Sequence, residues 1–212
     1  MTAVEPLPDA GPPVDGSPVV DIEATRRRLT ARQAEAVAVL VRAAEQETEE
    51  VGYDGLTVRG VARRAGVAPA TAYSYFSSKD HLLAEVLWRR MEALPPVDTD
   101  LSVPVAKRVA RTVRDMTPFA AESPALIDAC TVALISTSPD VSHLRDRIGA
   151  QTHRRLTAAL GPGVDPRVVR VLEAAYSGAL LTAGTGHMSF LDVPAFVAEA
   201  ATLLVDGSGG AG

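Results

Sequence analysis

Residues 57–83 read TVRGVARRAGVAPATAYSYFSSKDHLL, and this stretch decides the fold. Thr57 can cap a short helix that ends at Gly66, where the chain must take a positive φ. Pro69 suits the first turn of a second short helix that reaches Phe76. The apolar positions have the spacing of two helices that cross at a tight turn, with a small residue at the crossing. They are Val58, Val61, Ala62, Ala65, Val67, Ala72, Tyr75 and Phe76. The spacing therefore predicts a helix-turn-helix.

Helices on both sides complete a small N-terminal unit. From Ala31 to about Val51 the apolar side chains recur every three to four residues, which predicts an amphipathic helix closed by Gly52. Ser77 or Ser78 can cap a fourth helix that continues to about residue 93. The glutamates predicted to form a solvated face of the first helix are Glu45, Glu47, Glu49 and Glu50.

The chain beyond the fourth helix again has a helical pattern, and prolines divide it into segments of helix length. The predicted segments are 102–121, 125–136, 140–159, 166–186 and 194–205. The sequence predicts an all-α fold with an N-terminal three-helix helix-turn-helix domain and a C-terminal helical domain. The predicted boundaries are 1–22 for a proline-rich disordered leader, 23–77 for the helix-turn-helix domain, 78–206 for the linking helix and C-terminal domain, and 207–212 for a flexible tail.

Composition excludes several classes of protein. Apolar residues make up 47% and charged residues 22% of the 212 residues, which is globular composition. The first 25 residues hold no Lys or Arg for a signal or transit peptide, and the one cysteine, Cys130, cannot form an internal disulfide. Residues 174–191 lack charged side chains, but their Gly, Ser, Thr and His make a poor membrane span. We therefore expect a soluble cytoplasmic protein with no membrane partner.

The net charge of −5 is unevenly distributed. Residues 1–22 carry −4, residues 23–90 carry +2, and residues 91–212 carry −3. The basic excess thus falls on the helix-turn-helix, where a local patch can steer the protein to DNA whatever the total charge is.

The helix-turn-helix stretch resembles the N-terminal domain of the TetR (tetracycline-repressor) family of bacterial transcriptional regulators. The matching positions are Gly52-Tyr53, Thr57-Val58-Arg59, Val61-Ala62, Ala65-Gly66-Val67 and Tyr73-x-Tyr75-Phe76-x-x-Lys79-x-x-Leu82. The resemblance implies a three-helix DNA-binding domain, and a fourth helix that links it to a helical ligand-binding and dimerisation domain. It also implies repression of transcription that a small molecule relieves.

Residue chemistry supports a DNA-binding surface on the second and third helices. Lys79 stands in the first turn of a helix, where the helix dipole disfavours a cation, so a DNA phosphate would explain its position. Arg59 is a guanidinium suited to guanine. The hydroxyls of the third helix suit phosphate oxygens, and its leading face suits base edges. The predicted DNA-binding residues are Thr57, Arg59, Pro69, Ala70, Thr71, Tyr73, Ser74, Tyr75 and Lys79. Arg26, Arg27 and Arg28 form either a minor-groove arm or a solvated lead-in to the first helix.

Two further sets of residues are assigned in the C-terminal domain. The larger apolar residues predicted to line a ligand cavity are Met116, Phe119, Cys130, Leu134 and Tyr176. Because polar candidates are few, we expect a small apolar effector held by one or two hydrogen bonds. A homodimer is predicted through apolar positions of the last two helices. These positions are Leu172, Ala175, Ala179, Leu203 and Leu204.

Enzyme signals in the sequence are weak. Cys130 with His143 or His153 would provide a nucleophile and a base, but a lone cysteine with apolar neighbours is more often structural. The histidines have no zinc-ligand spacing, and we predict no metal, no cofactor and no catalysis. Three functions remain open at this point: a ligand-responsive repressor, a DNA-binding regulator without a small ligand, and an all-α enzyme or interaction module.

Overall fold

A computed structural model of the chain describes residues 31–117 and 123–209. These residues form helices joined by turns and loops, without a strand, and the predicted all-α fold is confirmed for them. The helices are α1 (Ala31–Gly55), α2 (Val58–Arg64), α3 (Pro69–Tyr75), α4 (Lys79–Glu92), α5 (Val105–Met116), α6 (Pro124–Ala133), α7 (Pro139–Leu160), α8 (Pro166–Gly184) and α9 (Val193–Gly209). The predicted leader and the arginine triplet at 26–28 lie outside the described residues.

The turns of the N-terminal unit follow the local sequence signals. At Gly52, φ is 65° and the helical backbone of α1 is interrupted, where the sequence predicts the helix to close. Thr57 caps α2, because its Oγ1 accepts a hydrogen bond from the Gly60 amide at 2.9 Å. After α2 and its C-cap Ala65, Gly66 has a φ of 66°, and the Val67 amide donates to the Ala62 carbonyl at 2.9 Å. This pairing is a Schellman motif, which a left-handed glycine permits.

The start of α4 distinguishes between the two predicted caps. Ser78 is the cap, since its Oγ accepts a hydrogen bond from the His81 amide at 3.0 Å. Ser77 instead donates from its hydroxyl to Asp140 Oδ2 at 2.7 Å, at the first turn of α7. The residue before the helix therefore contacts the C-terminal unit.

The core is continuous between the two units. Buried side chains of α1 to α4 form one apolar cluster with α6, which contributes Leu126 and Ile127 among others. A second cluster joins the end of α4 to α5, α7, α8 and α9. Trp88 of α4 packs with α7 residues such as Val141 and Leu144. α4 is thus the shared wall of both units, as expected of a linking helix.

A buried arginine holds the far end of α7. Arg108 of α5 donates from Nε to the Ala159 carbonyl at 2.8 Å and from Nη2 to the Leu160 carbonyl at 3.1 Å. These carbonyls lie in the last turn of α7, where no further helical amide can satisfy them. Arg108 therefore fixes the C-terminal end of α7 to α5.

The last helix ends later than predicted. α9 continues to Gly209, although a flexible tail is expected from Gly207. Extending an existing helix by a residue costs little free energy, so a glycine near the end does not stop the helix at one fixed position.

Candidate functional site

The third helix presents most of its surface to solvent. Ala72 is fully buried and Tyr75 is half-buried against the core of the N-terminal unit. The exposed residues of α3 are Pro69, Ala70, Thr71, Tyr73 and Ser74. Tyr73 is 52% exposed although it is a large aromatic side chain, so core packing does not explain it. Five of the predicted contact residues therefore share one exposed helix.

Two further predicted residues lie at the start of α2. Thr57 and Arg59 are both exposed, while the adjacent Val58 is buried. The Thr57 hydroxyl already accepts from the Gly60 amide, and its own proton remains free to be donated. Thr57 thus combines a structural cap with an exposed donor.

Lys79 has partners within the chain. Its Nζ donates to the Tyr53 carbonyl at 2.7 Å and lies 3.9 Å from the centroid of the Tyr53 ring. The Tyr53 hydroxyl donates to Asp80 Oδ1 at 2.7 Å, and burial together with this carboxylate raises the pKa of Tyr53 to about 12. The argument that Lys79 needs a phosphate to explain its position is therefore wrong. An ammonium has three donors, so a phosphate contact stays a prediction.

The predicted solvated face of α1 is partly wrong. Glu47 is buried, and its Oε2 accepts from Arg64 Nε of α2 at 2.6 Å, while Glu50 also pairs with Arg64. Glu45 accepts from Arg90 Nε of α4 at 2.7 Å. These partners come from other helices, which a pattern along α1 alone does not reveal. The two arginines are consequently neutralised and contribute less to the basic patch.

A cavity of about 580 Å³ lies among α4 to α8. Four of the five residues predicted to line a cavity do so: Met116, Cys130, Leu134 and Tyr176. Phe119, the fifth, lies outside the described residues. The remaining apolar side chains of the wall are Leu87, Met91, Ile127, Ile135, Ile148, Ala150, Leu180 and Leu181. The volume is that of a small-molecule site.

The cavity holds little reactive chemistry. Burial raises the pKa of the Cys130 thiol to about 12, and its Sγ lies 3.6 Å from the Leu83 carbonyl. The thiol is therefore neutral and is not a nucleophile near neutral pH. Burial also raises the pKa of the Tyr176 phenol, whose hydroxyl has no hydrogen-bond partner among the described residues. No group of three or more metal-ligating side chains occurs in residues 31–117 and 123–209.

Three charged or titratable residues of the wall were not predicted as ligand contacts. Arg145 of α7 lines the cavity, and so do His153 and Glu173, whose Nδ1 and Oε1 atoms lie 2.8 Å apart. An arginine in an amphipathic helix is typical of a solvated face, so the sequence holds no signal for the position of Arg145. Only the tertiary packing brings α7 and α8 around one space.

Comparison with known proteins identifies the family. The sequence model described as "Bacterial regulatory proteins, tetR family" matches residues 40–86. An uncharacterized HTH-type transcriptional regulator of Mycobacterium tuberculosis is 48% identical over 153 residues, which are 71% of this chain and 71% of that protein. The chain belongs to the tetR family. The resemblance carried by the helix-turn-helix residues is thereby confirmed, and the chain is an HTH-type transcriptional regulator.

Other similar proteins share a smaller fraction of their residues with this chain. The HTH-type transcriptional repressor KstR of Mycolicibacterium smegmatis is 28% identical over 162 residues, 73% of this chain and 79% of KstR. A TetR transcriptional regulator from Rhodococcus sp. RHA1 aligns at a TM-score of 0.64 and 21% identity, covering 82% of this chain and 98% of its own. The structure of Bacillus subtilis FadR in complex with stearoyl-CoA aligns at a TM-score of 0.55 and 20% identity, and the alignment covers 80% of this chain and 98% of FadR. The two structures show the shared TetR-family fold.

The dimer surface predicted for this TetR-family chain is wrong at two positions. Leu172 is fully buried and Ala179 is 2% exposed, both in the subunit's own core. Ala175 and Leu204 are half-buried, and Leu203 is 69% exposed. The large apolar side chains of α8 and α9 that do face solvent are Val171, Leu181, Phe196 and Leu203. α8 is apolar on two sides, and the dimer residues predicted from its periodicity lie mainly on the side that the monomer itself buries.

None of the helices of residues 31–117 and 123–209 is long and apolar enough to cross a membrane.

Proposed function

We propose that this TetR-family regulator is a repressor that binds a palindromic operator as a homodimer and is released by a small, largely apolar effector. The observation that carries the proposal is the exposed face of α3 in a helix-turn-helix whose α2 is capped by Thr57. Five of the seven residues of α3 face solvent while Ala72 anchors the helix. A helix held in this way can enter the major groove, where exposed side chains contact bases and phosphates.

Dimerisation is supported by the outer faces of α8 and α9. Val171 and Leu203 are 51% and 69% exposed, on the helices where a TetR-family dimer is expected. Exposed apolar side chains on neighbouring helices are typical of protein interfaces. A twofold axis through these helices would give two copies of α3, and their half-sites would lie about one helical turn of DNA apart.

Two names among the relatives agree with repression by a ligand-responsive protein. KstR, 28% identical to this chain, is named a transcriptional repressor. FadR, which shares the fold, was solved in complex with stearoyl-CoA. For this chain the effector proposal depends on its own cavity, whose wall is largely apolar and has the unpartnered Tyr176 hydroxyl. An effector releases DNA by binding more tightly to a conformation in which the two α3 helices no longer fit the groove.

A gel shift against DNA upstream of the protein's own gene tests the proposal, with unrelated DNA of equal length as competitor. We expect sequence-selective binding, lost in Tyr73→Ala and kept in Leu101→Ala. The two side chains are matched, since they are 52% and 57% exposed and Leu101 lies in the other unit. Absence of selective binding at low salt contradicts the repressor proposal. An equal loss in both variants contradicts the role of α3.

Tyr176→Phe tests the effector half. It removes the unpartnered hydroxyl and keeps the ring, so we expect ligand-free DNA affinity to stay unchanged while the effector concentration for release rises. Equal changes in both quantities would mean that Tyr176 acts only as core.

A further inference from the structure

The cavity wall contains one guanidinium that lacks a carboxylate partner. Arg145 lines the cavity, and no Asp or Glu of the described residues forms an ion pair with it. Glu173, the carboxylate of the wall, has His153 as its partner, with 2.8 Å between Oε1 and Nδ1. The remaining wall is mostly aliphatic, so Arg145 is the charged group of the wall that has no titratable side chain as its partner.

Arg145 is held in a fixed orientation. Its Nη1 donates to the Leu134 carbonyl at 2.8 Å and to the Ser136 carbonyl at 2.9 Å, and Nη2 donates to Ser142 Oγ at 3.0 Å. A guanidinium has five N–H donors, and these bonds use three. The two others, one on Nε and one on Nη2, have no partner in the part of the chain that the structure describes. Nε and Nη2 form one edge of the planar group, the geometry that binds a carboxylate with two parallel hydrogen bonds.

The Tyr176 hydroxyl, on α8, is another polar group of the wall without a hydrogen-bond partner among the described residues. Its side chain is more than nine-tenths buried and lines the same cavity. The hydroxyl oxygen is not fully buried, so water or a ligand in the cavity can complete its hydrogen bond. Arg145 on α7 and Tyr176 on α8 thus both offer donors that lack acceptors within the described residues.

We infer that the cavity binds an apolar monocarboxylate whose carboxylate pairs with Arg145. At about 30 Å³ per water-sized group, the volume accommodates a molecule of about 15 to 20 such groups. Glu173 does not oppose this placement, because it is bonded to His153, away from Arg145 along α7. His153 is eight residues from Arg145 on α7, about 12 Å along the helix. The ligand's apolar body would extend between these two points. The inference rests on the proposed function only in taking this cavity as the effector site.

A structural role for Arg145 is the competing explanation. The carbonyls that it contacts follow the end of α6, so a cation there also stabilises that helix terminus. Arg145→Gln removes the charge and retains amide donors for those carbonyls. Arg145→Lys keeps the charge and loses the planar edge. Arg154→Gln is the matched control, because Arg154 is an exposed arginine of the same helix and is not part of the wall.

Isothermal titration calorimetry with tetradecanoate and tetradecanol measures the contribution of the carboxylate at equal chain length. We expect wild type and Arg154→Gln to bind tetradecanoate about 10- to 100-fold more tightly than tetradecanol. Arg145→Gln should lose this preference, and Arg145→Lys should keep part of it. Thermal unfolding of each variant without ligand reports the structural role separately.

Equal affinities for the two compounds in wild type, or an unchanged preference in Arg145→Gln, overturn the inference, and so does the absence of binding by either compound. Failure of the proposed function has a different result. Tetradecanoate would then bind through Arg145 while the gel shift showed no selective DNA complex, or a complex that the bound ligand did not release.

Discussion

Replacing Lys79 separates its structural contacts from a contact with DNA. In the free protein Lys79 Nζ bonds to the Tyr53 carbonyl and lies over the Tyr53 ring. Loss of the ring contact should cost about 0.5 to 1 kcal/mol and loss of the charge-assisted hydrogen bond a similar amount or more. We therefore expect Lys79→Ala to lower the free energy of unfolding by about 1 to 2 kcal/mol. Lys79→Gln should cost less, since its amide can still donate to that carbonyl.

The effect on DNA binding is of another kind. Each phosphate neutralised by a cation contributes about 0.9 to the slope of log affinity against log salt. A dimer that lacks the Lys79 charge in each subunit should have a slope smaller in magnitude by about 1.8. Between about 50 and 200 mM salt, wild-type affinity should then fall about 12-fold further than the affinity of the variant. Sequence preference should stay nearly unchanged, because a phosphate carries no base information.

Fluorescence anisotropy with labelled operator DNA at several salt concentrations measures the slope, after circular dichroism has shown that the variants are folded. Lys107→Ala is the control, since Lys107 is the chain's other lysine and lies exposed on α5. Equal slopes for wild type and Lys79→Gln would refute the phosphate contact. An equal reduction in Lys107→Ala would show a general charge effect.

Three further predictions follow from burial and hydrogen bonding. Thr57→Ala removes the cap on the Gly60 amide and should lower the free energy of unfolding by about 1 kcal/mol, measured by urea denaturation; no change would contradict the cap. Leu203→Arg should give a folded monomer in analytical ultracentrifugation, because Leu203 is exposed. Leu172→Arg should unfold the chain, because it places a charge in the core. A folded Leu172→Arg monomer would instead support the dimer interface predicted from the sequence. Cys130 should react with iodoacetamide at pH 8 at least about 100-fold more slowly in native than in urea-unfolded protein. Because its pKa is raised from 9.0 to about 12 on folding, stability should also fall as the pH rises above about 9, and Cys130→Ala should weaken that fall.

The sequence predicts well wherever one or two neighbouring residues determine the geometry. Thr57, Gly66 and Gly52 each act within a single turn, and the structure confirms each of them. The family, too, is carried by closely spaced residues, so it could be predicted from the helix-turn-helix alone.

The sequence predicts poorly where a side chain meets a partner far along the chain. Lys79 contacts Tyr53, 26 residues earlier, and Glu47 contacts Arg64, 17 residues later. Each of these residues taken alone is typical of a solvated or DNA-facing position. The partner is determined by how the helices pack, which the pattern of one helix does not contain.

The dimer face shows the same limit on a whole helix. Leu172 and Val171 are adjacent apolar residues on α8, one fully buried and one 51% exposed. A helix that is apolar on two sides satisfies both a core and an interface, and periodicity alone cannot assign the sides.

The anchoring of α7 has a mechanical consequence. Arg108 fixes its last turn, and Asp140 at its first turn accepts a hydrogen bond from Ser77, two residues after α3. The cavity lies between these two contacts. At 1.5 Å per residue the Asp140 end lies about 30 Å from the Arg108 anchor, and we expect a rigid α7 to pivot about that anchor. Thr152 lies about 12 Å from the Arg108 anchor, so a ligand that displaces Thr152 should displace the Asp140 end about 2.5 times as far. Distances between spin labels on α4 and on each end of α7 would detect this gain. A sub-ångström repacking of the cavity would then reach the DNA-binding unit as a shift of 1 to 2 Å, about the size of known helix movements in allosteric proteins.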